Sequence, residues 1–214
     1  MKSTKLKMLT NGAMFAAIIF AATLTGAVAP IGGGAYIHIG DAAIYVAVLL
    51  LPTPYAVAAA AIGAALADFT LGSAIYIIPT IIVKSLLVLT AKGLMKLSKN
   101  PLLQDILICL AGVVTVAGYY VAELVLLLIS GSDLGAAAAG AFFDSVPFNA
   151  IQAGASAVLF LVLAGAVRGI SGRRKRRAVS SGAVLSDTVS SGAVSSDDVS
   201  SDTVSSDDGS ESNE

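Results

Sequence analysis

Asp68, Lys84, Glu123, Asp144, Asn149 and Gln152 lie within long apolar stretches that fill most of residues 10–167. A charge at the centre of a bilayer helix costs roughly 2.5–3.5 kcal/mol on insertion scales, so such residues persist where they face a partner, a cavity or a ligand. The chemistry available to acids, one lysine and two amides is hydrogen bonding and charge pairing with a polar solute. Bond-breaking chemistry has little support. Gly154-Ala155-Ser156-Ala157 is not a nucleophile elbow. Gly32-Gly33-Gly34 lacks the Lys-Ser/Thr of a phosphate-binding loop, and no G-x-x-x-x-G-K-[ST] occurs anywhere. A single cysteine, Cys109, excludes an intrachain disulfide, and with one histidine, His38, no zinc site is expected. The chain is therefore read as a non-enzyme with no catalytic residues, no metal site, no cofactor and no nucleic-acid partner. Any ATP-driven step must draw its ATPase from another subunit.

The elements that position these residues are membrane helices. Hydrophobic residues make up 56% of the chain and charged ones 13%, with mean hydropathy +0.86, outside the range of ordinary soluble domains. About 20 apolar residues cross ~30 Å of hydrocarbon. On that measure spans are expected near 10–29, 39–52, 54–72, 75–96, 103–129 and 134–168. The second is short. The sixth is too long for one crossing, and Asp144-Ser145-Val146-Pro147 suggests a break with a separate short helix at 134–143.

Basic residues sort by side. Lys2, Lys5 and Lys7 precede span 1, Lys92, Lys96 and Lys99 lie at the span 4–5 turn, and Arg168 to Arg177 follow span 6. The opposite connections, 30–38, around 73 and 130–133, contain no Lys or Arg. Six spans with both termini in the cytoplasm put every one of these inside. Span 1 also fits a cleaved signal peptide ending at Ala27-Val28-Ala29, but Pro30 after the cut disfavours cleavage. Gly12, Ala13, Ala16, Ala17 and Ala21 form a small-residue face suited to close helix packing, so the span is read as retained.

All 13 Lys and Arg precede residue 178, whereas eight of the 14 acids follow it. The body is basic and the tail acidic. From Val179 the tail repeats every five residues, at Val184, Val189, Val194, Val199 and Val204. That period fits neither a helix face nor a strand face, and the Ser-rich, aromatic-free sequence cannot offset its ordering entropy. The expected organisation is a cytoplasmic N-terminus at 1–9, an all-α six-helix transmembrane bundle at 10–168, a basic juxtamembrane segment at 169–177 and a disordered tail at 178–214.

The polar residues converge in the outer half of this bundle. Asp68 is near the outer end of span 3, and Lys84 is about nine residues into span 4, roughly 13 Å down at 1.5 Å per residue. Glu123 is about six residues before the outer end of span 5, and Asn149 and Gln152 share a face of span 6. Pairing alone, as Asp68–Lys84 or Glu123–Lys84, leaves several acids against one lysine, so a pocket open to the outside explains the set better. Asp41 and Asp144 are read as caps of spans 2 and 6 and set apart from the pocket. The connection Gly32-Gly33-Gly34-Ala35-Tyr36-Ile37-His38 fits a lid carrying Tyr36 and His38 over the pocket, and fits a plain glycine-rich turn equally well.

Tyr36-x-His38-x-Gly40-Asp41, Gly63-x-x-x-Ala67-Asp68, Lys84 and Pro147-Phe148-Asn149-x-x-Gln152 together resemble the substrate-binding S component of energy-coupling factor (ECF) vitamin importers, the riboflavin-type branch most closely. The resemblance covers about residues 8–168. It implies a substrate-capture subunit in the bacterial cell membrane, with a site for a small water-soluble vitamin or precursor, riboflavin or a thiamine-precursor pyrimidine. Tyr36, His38, Asp68, Lys84, Glu123, Asn149 and Gln152 become its candidate substrate-binding residues. It also implies assembly in the lipid bilayer with a transmembrane coupling subunit and two ATPases, the coupling subunit touching Ala13 and Ala17 on helix 1. Two departures stand out. Ser85-Leu86-Leu87 follows Lys84 where many members have Gly and Glu, and the chain has no tryptophan, which disfavours a Trp-lined thiamine site. A stand-alone secondary transporter or channel is the alternative, although no inverted repeat with paired broken helices is visible.

Overall fold

The computed structural model describes the backbone of residues 2–26, 30–31, 35–36 and 38–193, and the side chains of residues 4–25 and 38–166. The helices are α1 (Lys2–Gly26), α2 (Gly40–Leu50), α3 (Thr53–Thr70), α4 (Ile77–Met95), α5 (Pro101–Leu110), α6 (Gly112–Ile129) and α7 (Leu134–Ala193). A 3-10 turn, Ala74–Tyr76, leads into α4. Between α1 and α2, β1 (Pro30–Ile31) pairs antiparallel with β2 (Ala35–Tyr36) in a two-residue ladder. Gly32 to Gly34, the three glycines of the proposed lid, and the side chain of Tyr36 lie outside the described residues.

Helix ends follow local chemistry. Pro52 pushes Leu51 into an extended conformation, which stops α2, and Pro54 in its first turn starts α3. The Leu51 carbonyl freed by this turn accepts from Lys92 Nζ at 2.7 Å. Gly72 (φ +76°) and Gly131 (φ +97°) close α3 and α6 in the left-handed conformation. Behind each, the next N–H reaches back across the last turn, Ser73 to Asp68 O and Ser132 to Leu127 O, the Schellman pattern. Asn100 caps α5 by accepting from Leu102 N, and Asp133 accepts from Gly135 N and Ala136 N at the start of α7.

The chain divides into two units, 1–167 and 168–214. In the first, α1 packs on α3, α3 on α4 and α4 on α6 around a core that includes Phe15, Ile19, Tyr45, Val48, Leu87, Val88, Ile108 and Phe160. Small residues let α1 and α3 approach closely. A Cβ on Gly63 would stand 2.5 Å from the Ala16 carbonyl oxygen, so only glycine fits there. The small-residue face expected on α1 is divided: Gly12 is buried and Ala16 half-buried, whereas Ala13, Ala17 and Ala21 are exposed.

Four stretches are long and apolar enough to cross a membrane: Thr4–Thr25, Ala74–Met95, Pro101–Ile129 and Leu134–Ala166. Their outward faces carry large apolar side chains such as Ile78, Ile82, Leu110, Val113, Val158 and Val162, as a lipid-facing surface requires. This is a multi-pass membrane protein. The two other expected spans differ for physical reasons, α2 being only 11 residues long and α3 being an Ala-rich helix that also carries Asp68. Span 5 is a tandem of α5 and α6 joined at Ala111.

No helix break occurs at 144–147. Pro147 sits inside a continuous α7, where Asn149 Nδ2 donates to Ser145 O at 2.9 Å and to Ser145 Oγ at 3.1 Å. A proline inside a membrane helix frees one carbonyl, here that of Phe143, and such helices tolerate it without ending. Asp144 is consequently an exposed mid-helix residue and caps nothing. Within the second unit, helical backbone extends to Ala193, whereas the sequence suggests disorder from residue 178. Extending an existing helix needs no new nucleus, and the five-residue repeat contains no proline to stop it. Residues 194–214, the rest of the expected disordered tail, lie outside the described residues.

Candidate functional site

Lys84, on the middle of α4, is fully buried and pairs with Asp41 in the first turn of α2, Nζ to Oδ1 at 2.6 Å. The second carboxylate oxygen, Oδ2, accepts from Thr115 Oγ1 of α6 at 3.2 Å. Lys84 Nζ also stands 5.2 Å from the centroid of the Tyr119 ring, and the Tyr119 hydroxyl lies 2.9 Å from Thr80 Oγ1. Three helices thus meet on one charge pair.

Asp41 is no cap. The N-cap position belongs to Ile39 without a side-chain hydrogen bond, and Asp41 points inward to the lysine. The pairing alternatives weighed from the sequence are Asp68–Lys84 and Glu123–Lys84; the structure pairs Lys84 with Asp41, and Glu123 accepts from Tyr76. The lysine retains two further N–H donors beyond the one given to Asp41.

His38 is buried beside this pair. Its Nδ1 accepts from Gly40 N at 3.1 Å, and a Cβ on Gly40 would stand 3.0 Å from that nitrogen and 2.2 Å from Thr23 Oγ1. Glycine is required at 40 so that α1, His38 and α2 can close together. Burial pushes the His38 imidazole down to about 4, Lys84 acts in the same direction, and Asp41 opposes them. The ring is therefore neutral at pH 7 and can accept as well as donate.

The depressed value has a measurable consequence. Because the unfolded chain takes up a proton near pH 6.5 and the folded chain does not until about 4, stability is constant above the unfolded value and falls as pH drops below it. Between pH 7 and pH 5 the expected loss is about 2 kcal/mol. The chain has one histidine, so His38→Asn should flatten the melting temperature over this window, as thermal unfolding of the purified protein would show.

A second polar group surrounds Tyr76. Its hydroxyl donates to Glu123 Oε2 at 2.6 Å, and Asp68 and Asp144 lie within electrostatic range. Asp68 is buried at the end of α3 and also acts on Tyr119, which links this acidic group to the Lys84 centre. On α7, Asn149 is half-buried with its amide turned toward Ser145, and Gln152 is buried with Nε2 lacking a hydrogen-bond partner among the described residues.

Of the expected site residues, His38 and Lys84 are therefore brought into one buried centre. Asp68 and Glu123 form the acidic flank around Tyr76. Asn149 and Gln152 lie on α7. The side chain of Tyr36 lies outside the described residues. Asp41, Thr80 and Thr115 belong to the centre although the sequence reading passed over them. The signal for Asp41 was its place inside Tyr36-x-His38-x-Gly40-Asp41, obscured by its nearness to a helix start. Threonines in an apolar helix give no comparable signal. The described residues contain no cluster of His, Cys, Asp and Glu that could hold a metal ion.

Among the described residues the two groups offer hydrogen-bond donors and acceptors and the rings of Tyr76 and Tyr119. Comparison with curated proteins and with solved structures finds no match. The family model for the ECF-type riboflavin transporter S component matches residues 3–169. That match spans the whole bundle and every residue of the centre just described, so the chain belongs to the S-component family of ECF-type riboflavin transporters and is the substrate-capture subunit of such an importer.

Proposed function

We propose that this subunit binds riboflavin from outside the cell, in a site formed by Tyr36, His38, Asp68, Lys84, Glu123, Asn149 and Gln152. It crosses the bacterial plasma membrane six times, as α1, α2, α3, α4, the α5–α6 tandem and α7, with both termini in the cytoplasm. A transmembrane coupling subunit docks on Ala13 and Ala17, and two ATPases supply the energy. The family match over residues 3–169 carries this reading. The burial of charged and amide side chains in an otherwise apolar bundle supports it, because such groups are costly without a ligand or partner. The exposure of Ala13 and Ala17 supports the docking face.

The direct test is mass spectrometry and flavin absorbance of whatever the protein retains after mild detergent purification. Riboflavin is the expected occupant, and a retained thiamine-precursor pyrimidine would replace it. Asn149→Ala and Gln152→Ala are each expected to weaken riboflavin binding by about 5- to 150-fold, the usual effect of losing a hydrogen-bond partner in a desolvated site. Equilibrium titration of flavin fluorescence measures this. Wild-type affinity in folded variants would remove those two residues from the site.

A further inference from the structure

Arg168, Arg173, Arg174, Lys175, Arg176 and Arg177 supply six of the chain's 13 cations within ten positions. Arg168 is two residues past Ala166, the end of the last apolar crossing stretch, and Arg177 is eleven. The backbone is helical throughout, since α7 continues to Ala193. The family match stops at residue 169. The run Arg173 to Arg177 therefore lies beyond the family's common part, and vitamin capture leaves it unused.

Helical register makes the run unfavourable by itself. Five consecutive residues at 3.6 per turn put a cation on every side of the helix. Arg173 with Arg176, Arg173 with Arg177 and Arg174 with Arg177 are like-charge pairs at three- and four-residue spacing, which destabilise a helix. No Asp or Glu occurs from 145 to 186, so none of the five has an acid at either spacing. Asp187 is ten residues past Arg177, about 15 Å along a helix. That exceeds the Debye length of about 8 Å at physiological ionic strength. The nearest countercharge is therefore outside the helix.

We propose that residues 168–177 bind the headgroups of anionic phospholipids at the end of the last crossing. Two observations favour a lipid over another polyanion. The run follows a membrane-crossing stretch after a few residues, so headgroups meet it at an effective concentration far above that of a soluble partner. Five of the six cations are arginine, whose planar fork pairs with two oxygens of one phosphate. Clusters of Lys and Arg directly after a membrane helix are the usual signature of such contact. The inference rests on membrane embedding and is independent of the vitamin.

The test uses the full-length chain in detergent, with phosphatidylglycerol and phosphatidylcholine of matched acyl chains added together. Native mass spectrometry counts each bound lipid. The wild-type chain is expected to retain phosphatidylglycerol preferentially, the more so at low salt. One cation near an anionic surface is worth about fivefold in affinity. Arg173→Gln, Lys175→Gln and Arg177→Gln combined should accordingly lower the preference at least about tenfold. Lys7→Gln, Lys96→Gln and Lys99→Gln combined, which neutralise three exposed cations elsewhere, should leave it unchanged.

Equal retention of the two lipids by the wild-type chain would overturn the proposal. So would an equal loss in both triple variants, which assigns the preference to net charge. Two rival occupants have their own arms. A chain truncated after Ser186 lacks all eight tail acids, and it should keep the preference. A preference that arises only there would mean that the tail itself occupies the run. A labelled DNA duplex should be displaced by phosphatidylglycerol, and binding that the lipid does not reduce would assign the run to nucleic acid. Failure of the proposed vitamin reading would leave each of these readouts unaltered.

Discussion

Lys84→Met should destabilise the protein by about 3–5 kcal/mol, because it leaves the Asp41 carboxylate buried without its cation. Both side chains are at most 1% exposed, so water cannot take the place of the ammonium. The measurement is the thermal midpoint of the purified variant. Asp41→Leu combined with Lys84→Met should recover most of the loss, since replacing both members of a buried pair by apolar groups is often neutral or better. The recovered double variant is also the informative one for function. If Lys84 contacts the vitamin as well as Asp41, it will fold and yet bind riboflavin poorly. If the pair serves only to hold α2 against α4, binding will return with stability.

Ala17→Leu should abolish uptake and co-purification with the coupling subunit while leaving riboflavin affinity unchanged. Small side chains let two membrane helices approach closely, and an isobutyl group between them holds the backbones apart. Because Ala17 is exposed whereas Gly12 and Phe15 are buried, the substitution leaves the packing of α1 on α3 intact. Equilibrium binding and pull-down on a single preparation decide the matter. Loss of binding along with uptake would assign Ala17 to the interior of the bundle. Uptake by the wild-type chain alone, in vesicles without an ATPase, would overturn the importer-subunit reading and favour a secondary transporter.

The apolar spans, the polar set within them and the family were legible in the sequence because each rests on composition or on a motif. Lys84 stood out as the one lysine far from the end of an apolar stretch. Its partner did not. Asp41 sits in the first turn of α2, where an acid normally serves the helix terminus, and only the three-dimensional meeting of α2, α4 and α6 turns it inward. The division at Ala111 and the continuity of α7 through Pro147 were hidden for a similar reason. Proline chemistry predicts a break, but inside a membrane helix a proline removes one backbone hydrogen bond without having to end the helix, and α7 runs on through Pro147. Asp105 on α5, also buried, went unmarked because it lies close to a predicted span boundary.

The shortness of α2 has a bearing on how far a solute must be moved. Eleven residues measure about 16 Å along the axis, roughly half of a ~30 Å hydrocarbon layer. Asp41 stands at one end of that length and the Leu51–Lys92 junction at the other. On the proposed site and topology, a molecule resting against the Asp41–Lys84 pair would stand about half the thickness of the barrier from the outer surface. The energised step would then have only the remaining half to cover.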